Sequence, residues 1–457
     1  MDMNEVLLTA DAVLTMDAAN TVFTDGAVLV RDDKIAEVGK AAELSTRYPA
    51  AKRKDFGKAV LLPGLVNTHM HSGILRGTAE GLPLWDWLRL FVDPMHRVLR
   101  PEEAEASSWL CYGESLLAGT TTAVDMWRFM YGSAKAAAQL GLRVVMVPYV
   151  GEEVGFDYFD NLDDNEKLIQ EWHGKANGRI NVWVGLEHQF YVDEAACKRA
   201  IDMCERYGVG LHTHSNESRD EVKEAYKRYG ISPIQALKNK GILDIENVLL
   251  AHCVWLEDEE VALLRDNGIG VAHNPTSNMK IASGPAPVVD MIKAGIAVGI
   301  GSDGEKENNN LDIFEEMKIA SILAKLRGMD AAAYDAWDVL RSATIEGARA
   351  IGMADRIGSL EAGKQADIVA VRADGPHMTP FIKEGAFFNL HHNIVHAVQG
   401  GDVAMTMVDG FIAAENGVLT AGDMKKFIAD AEKACADVIE RRTEWLKENE
   451  QGALSPV

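Results

Sequence analysis

From residue 59 to about residue 364, short apolar runs alternate with amphipathic stretches, eight times in series. The runs are Leu65–Thr68, Thr121–Val124, Val144–Val147, Val182–Gly185, Val209–His212, Val248–Ala251, Ile269–Ala272 and Ala297–Ile300. Each is apolar almost without interruption, the pattern of a strand covered on both faces in a parallel sheet. Helical periodicity fills several of the gaps, at 132–140, 193–207, 218–228, 257–266 and 286–294. Serial strand–helix units of this number predict an α/β fold, a closed (β/α)8 TIM barrel over 59–364. A hydrophobic share of 47% in 457 residues is ample for such a core.

The two ends read differently. Residues 1–58 hold short strands, such as Ala27–Val30 and Ile35–Val38 around the polar turn Arg31–Lys34. Residues 365–420 hold more, at Ala366–Val371 and Val403–Val408. Neither piece can bury a core alone. Joined, they predict one small β-sandwich built from both chain ends. Residues 421–457 are charged and helical, a surface helix or a dimer contact.

Chemistry-bearing residues follow the apolar runs. His69 and His71 close the first, two residues apart, so that their side chains leave an extended chain on one side. His214 follows the fifth run, His252 the sixth and Asp303 the eighth. In a parallel barrel these are C-terminal strand ends, which face one mouth. Three imidazoles and a carboxylate make a site for one divalent metal, zinc or iron(II), with room for a water whose pKa falls to roughly 7. Glu217, three residues past His214, is placed to move a proton between that water and a leaving amine. His252 is left with three roles: orienting the hydroxide, polarising it, or binding the ion. His96, His173, His273, His377, His391, His392 and His396 read as ordinary core or surface histidines. His212 faces away from the ion or supports it from behind.

The segments LLPGLVNTHMHSGILRGTAEGLPLWDWL, LLAGTTTAVDMW, LHTHSNES, LLAHCVWL, VAHNPTSNMKIASGPAPV, VGIGSDGEKENNNLDIFEEMK and IGSLEAGKQADIVAV carry a resemblance across nearly the whole chain. It resembles the metal-dependent amidohydrolase superfamily, in the branch of the methylthioadenosine/S-adenosylhomocysteine deaminases and the s-triazine hydrolases. The resemblance implies one metal on His69, His71, His214 and Asp303, with Glu217 as proton shuttle. His252 would contact hydroxide or substrate, and Asp303 would also take a proton from the attacking water. It implies hydrolytic deamination at a ring carbon of an amino-substituted aromatic N-heterocycle. An s-triazine-type chlorohydrolase, a cyclic amidohydrolase and a methylthioadenosine/S-adenosylhomocysteine deaminase are the alternatives; Glu217, absent from some triazine hydrolases, favours amine loss. A homodimer or higher homo-oligomer is also implied.

The substrate contacts depart from the family pattern. Where nucleoside deaminases place a ribose-gripping Glu, this chain has His96; the segment after strand three, Val147–Val150, lacks an Arg for a substrate tail. After Asp303 the usual small residues are replaced by Glu305, Lys306 and Glu307. A smaller ring than a thionucleoside is therefore expected, with His96 and Glu307 among its contacts. His188 matches a His that bonds a ring nitrogen, while Glu187 beside it leaves open a bridged second metal. Trp85, Trp87, Trp127 and Phe129 either stack a flat ring or pack. Ser277 and Asn278 either bond ring substituents or fix their loop.

Net charge of −23 excludes nucleic acid and anionic membrane as partners, since both need clustered Lys and Arg. Five scattered cysteines without a CxxC spacing, and no signal-like N-terminus or apolar stretch near 18 residues, indicate a cytoplasmic protein with free thiols.

Overall fold

The computed structural model describes residues 5–78, 80–82, 84–156 and 158–449. Eight barrel strands form, in two parallel five-membered sheets. One contains Leu65–His71, Thr120–Trp127, Arg143–Pro148 and Ile180–Val182, flanked on its other edge by Asp303–Gly304. The other runs Val184–His188, Leu211–Ser215, Val248–His252, Gly270–His273 and Val298–Ile300. Strand four thus breaks at Trp183 and strand eight at Gly301–Ser302. Each broken strand pairs with one sheet before the break and with the other after it. Chain continuity carries the ring through both seams. The expected strand Val182–Gly185 is therefore two pieces.

Strand five begins two residues later than expected, at Leu211. Val209 donates its N–H back to Cys204 of the preceding helix, and Gly210 is pressed against the Trp183 ring, where a Cβ would stand 2.7 Å away. Both residues serve the turn. The shift puts His212 and His214 inside one strand, on the same side of it.

The helices start where polar side chains can cap them. Asp193 accepts from the Ala196 N–H to open Glu194–Tyr207, and Ser218 does the same for Arg219–Tyr229 through the N–H of Glu221. Gly208 and Gly230 end these two helices in the left-handed region, which glycine enters without steric cost. Met424–Glu448 lays Phe427, Ala431, Ala434 and Val438 on the barrel. Its Arg441 bonds the Val98 carbonyl and Glu103, and Arg442 the Leu90 carbonyl at 2.6 Å. It braces the segment that roofs the barrel mouth. No helix among the described residues is long and apolar enough to cross a membrane. The five cysteines are unpaired.

Both chain ends meet in one nine-stranded sheet. Ala59–Pro63 is its centre, antiparallel to Ile368–Arg372 and parallel to Glu5–Leu14. That strand, assigned from the sequence to the barrel, belongs here; the chain passes at Gly64 into Leu65–His71. The sheet curls, because Ile35 on its far strand donates to the Lys364 carbonyl ahead of Ile368. Leu8, Val28, Leu61, Ile368 and Met405 fill the space inside.

Arg143 fastens this sheet to the barrel. It lies fully buried at the start of strand three, with two bonds of 3.1 Å to Asp367 and a third to Asp409. Arg143→Met would leave the enclosed Asp367 without its cation and Asp409 with only Arg179, 3.6 Å away. The expected loss is about 3–5 kcal/mol of unfolding free energy, measurable in urea.

Candidate metal centre and active site

The strand ends bring five donor groups to one point. The ligand atoms of His69, His71 and His214 lie within 4.8 Å of one another, as do those of His69, His252 and Asp303. Asp303 Oδ1 is 3.4 Å from the Nε2 atoms of both His69 and His71.

Each imidazole is turned by a contact at its other nitrogen. His71 Nδ1 meets the Met126 carbonyl at 2.6 Å, and His214 Nδ1 the Glu187 carbonyl at 2.6 Å. A carbonyl only accepts, so both nitrogens carry the proton and both Nε2 lone pairs face inward. His69 reaches the same state through a relay. Its Nδ1 donates to His212 Nε2 at 2.8 Å, and His212 Nδ1 donates to the Leu249 carbonyl at 2.8 Å. His69 Nε2 is left buried with no hydrogen-bond partner. His212 therefore takes the supporting position behind the cluster.

Burial pushes the imidazoles of His69, His71 and His214 below their ordinary value, toward the neutral form. Burial alone would raise Asp303, but His69, His252 and His71 outweigh it and hold the carboxyl well down. Neutral nitrogens beside an ionised carboxylate are the donor set a divalent ion takes, so the residues present fit a metal. Asp303 and His252 sit at φ of 61° and 74°, backbone conformations that side chains larger than glycine seldom adopt.

Glu217 faces this cluster without joining it. Its side chain is 12% exposed, and Oε2 is 3.8 Å from His252 Nε2. Burial pushes its carboxyl up to about 7, against the pull of His252. His252 Nε2 is also 3.8 Å from Asp303 Oδ2. Its Nδ1 is held by Asn278 Oδ1 at 2.9 Å, and Ser277 Oγ donates to Asp303 Oδ2 at 2.6 Å. Asn278, expected against substrate, thus stands behind His252; it and Ser277 fix the reactive groups.

The cavity over the cluster is lined by Trp87, Leu88, Tyr149, Tyr191 and Ile281 among apolar and aromatic groups, and by Glu187, His188, Glu221 and Glu307 among polar ones. Trp87, His188 and Glu307 are brought to the wall as expected from the sequence. The Trp85 side chain lies outside the described residues. Trp127 is buried, with the Lys306 ammonium 5.9 Å from its ring. Phe129 sits under the Arg128 guanidinium, away from the cavity.

His96 is not on the wall. It is 2% exposed, stacked on Tyr149 at 4.8 Å and edge-on to Trp127. The chain winds as a π-helix over Leu88–Val92. The wider turn rotates the following residues, and His96 points down among aromatic rings instead of at a ligand. Asp93 lies on the same segment, its carboxyl pushed up to about 6 by burial.

Glu221 was hidden from sequence reading because it reads as the ordinary third residue after a helix-capping Ser. Its carboxylate takes the N–H groups of Asn216 and Glu217 at 2.8 and 2.6 Å and lies 3.1 Å from His188 Nε2. Burial would raise it, but His188 and these N–H groups hold it below the usual range. Glu187 belongs to neither ligand cluster among the described residues; Tyr149 donates to its Oε1 at 3.2 Å. That position gives no support to a bridged second metal.

His273, just behind His252, offers a clean test of buried neutral histidine. Burial lowers its pKa to about 4. An unfolded chain takes up this proton below about 6.5 while the native one does not, so native stability drains away as pH falls from there toward 4. His273→Leu lacks the effect. Relative to the unmodified protein it should gain about 2 kcal/mol between about pH 8 and about pH 5, at roughly 1.4 kcal/mol per pH unit below 6.5, read from denaturation curves.

Comparison with known proteins agrees with this geometry. The sequence profile described as "Amidohydrolase family" matches residues 60–413, and one described as "Imidazolonepropionase-like composite domain, bacteria" matches 26–51. A 5-methylthioadenosine/S-adenosylhomocysteine deaminase of Thermoanaerobacter pseudethanolicus is 35% identical over 437 residues, covering 94% of this chain and 98% of its own. The crystal structure of an adenosine deaminase from Xanthomonas campestris with bound zinc superposes with a TM-score of 0.89 at 29% identity, over 95% of this chain and 98% of that one. The atrazine chlorohydrolase TrzN of Arthrobacter aurescens TC1, complexed with zinc, shares the fold with a TM-score of 0.84 at 24% identity, covering 94% and 100%.

Proposed function

Because the chain belongs to the amidohydrolase family, we propose that it is a hydrolytic deaminase that releases ammonia from a ring carbon of an aminopurine-like N-heterocycle. His69, His71, His214 and Asp303 would hold one divalent ion, zinc by analogy with the zinc-containing relative and otherwise iron(II). Such an ion supplies Lewis acidity and makes a water acidic near neutral pH.

The remaining chemistry falls to the chain. Glu217 takes a proton from the attacking water and passes it to the departing amine. A C–O bond forms, the C–N bond breaks, the second water proton ends on the adjacent ring nitrogen, and the products are a ring carbonyl and ammonia. The observation that carries this is the placement of the Glu217 carboxyl: enclosed, facing the ligand cluster, 3.8 Å from His252 Nε2, and pushed by burial above the usual carboxylate range. His252 is held by Asn278 at the edge of the same space and steers the water or the ring. His188 reaches a ring nitrogen, and Trp87 offers a flat face.

A nucleoside substrate is the second reading, favoured by the deaminase names of the relatives. The burial of His96 argues for a smaller ring, since it takes from the wall the side chain at the ribose position. A cytoplasmic setting, which the unpaired cysteines fit, and a homo-oligomeric state belong to the same proposal.

The test is ammonia release by zinc-loaded protein from a panel of amino-substituted purines, pyrimidines, pteridines and triazines, with matched nucleosides. Release that chelator abolishes and zinc restores is the expected result. Chloride or a ring-opened product without ammonia would replace this reading.

A further inference from the structure

Among the described residues five carboxylates line the cavity, those of Glu187, Glu217, Glu221, Asp303 and Glu307, and no Lys or Arg does. Three already have work: Asp303 sits in the ligand cluster, Glu217 faces it, and Glu221 pairs with His188. Glu187 and Glu307 are left over.

These two share an arrangement. Glu187 is 6% exposed and Glu307 4%. In each, one oxygen is anchored by the protein: Tyr149 donates to Glu187 Oε1 at 3.2 Å, and the Lys306 ammonium is 3.0 Å from Glu307 Oε1. In each, the other oxygen, Oε2, is buried with no hydrogen-bond partner. Lys306 is itself locked, 3% exposed and 5.7 Å from the Trp87 ring centre. Gly304 leaves the room that Glu307 uses, since a Cβ there would stand 2.2 Å from Glu307 Oε2. Glu187 lies at the end of barrel strand four and Glu307 just past strand eight, and these strands are opposite one another in an eight-membered ring.

A buried acceptor with no donor is unfavourable, and a ligand N–H that reaches it turns that deficit into affinity. Burial pushes both carboxyls up, Glu307 to about 8. Ligand N–H groups at the two Oε2 atoms favour the ionised form and pull the carboxyls back down, whereas a carbonyl or halogen edge gives the ionised form nothing. We propose that Glu187 and Glu307 are substrate-recognition residues that select a heterocycle rich in N–H donors, one that carries amino or ring N–H groups beyond the amine that leaves. The proposal rests on the deaminase reading for which amine leaves, and on the two oxygens alone for what the rest of the ring must offer.

The test uses the zinc-loaded full chain carrying Glu217→Gln, so that ligand is not consumed, and calorimetric binding of adenine and 2,6-diaminopurine. The second ligand should bind about 10-fold more tightly, the size of one added hydrogen bond. Glu187→Gln or Glu307→Gln, added separately, should shrink the difference and in at least one case erase it; a difference that both variants leave intact would overturn the assignment to these residues. Equal affinity for the two ligands would overturn the proposal, as would both variants weakening both ligands alike. The comparison of ligands needs neither added substitution, so a variant that fails to fold does not decide it. Preferential binding of the diamino ring without ammonia release by the unmodified protein would overturn the deaminase reading and keep this recognition. Ammonia release without the preference would do the reverse.

Discussion

Glu217→Gln should lower ammonia release by about 10²- to 10⁴-fold while the protein keeps its metal. The substitution preserves shape but replaces one carboxyl oxygen by an amide NH2, so the group can no longer take up or release a proton. Glu217 lies outside both ligand clusters, so metal content measured on the same sample should not move. The loop that carries it should also stay in place. Its anchor is Glu221, which takes the backbone N–H groups of Asn216 and Glu217 and does not depend on the Glu217 side chain. Near-normal turnover would remove Glu217 from the proton path. Metal loss with turnover loss would make it a ligand instead.

The reactive groups were legible in the sequence because each follows an apolar run, and a buried parallel strand has one polar exit, at the barrel mouth. The pair His69 and His71 needed only the two-residue repeat of an extended chain. The same repeat at His212 and His214 was present, yet the strand was set two residues early, since Gly210 looks like strand until its approach to Trp183 is seen. The wall of the cavity was less legible. Counting from Trp87 to His96 assumes an α-helical turn, and the π-helical Leu88–Val92 breaks that count. Asn278 and Ser277 lie in the right loop and point at His252 and Asp303, a choice of rotamer that spacing does not encode. Glu221 carries the signature of a helix cap and is one, which conceals its second contact with His188. At the other end of the molecule, Ala59–Pro63 and Leu65–His71 read as one apolar stretch; only pairing partners distinguish them, and one of those, Ile368–Arg372, lies some 300 residues away.

Removing Asp303 should have a larger effect than disturbing any group behind it. Asp303 is the one carboxylate in the ligand clusters among the described residues, so Asp303→Ala leaves imidazoles without a counter-charge for a divalent ion. Zinc should dialyse out under conditions where the unmodified protein retains one equivalent, and ammonia release should fall to background. His212→Phe makes the contrast. It keeps every ligand but cuts the relay from the Leu249 carbonyl to His69 Nδ1, which fixes the tautomer that turns the His69 Nε2 lone pair inward. Loss of such a supporting bond weakens metal binding by about 10- to 100-fold, and saturating zinc should restore most of the rate. The order of the two effects is the discriminating result. An Asp303→Ala protein that held zinc as firmly as His212→Phe would mean that the carboxylate orients water or substrate and is not a ligand. The ion would then rest on imidazoles alone.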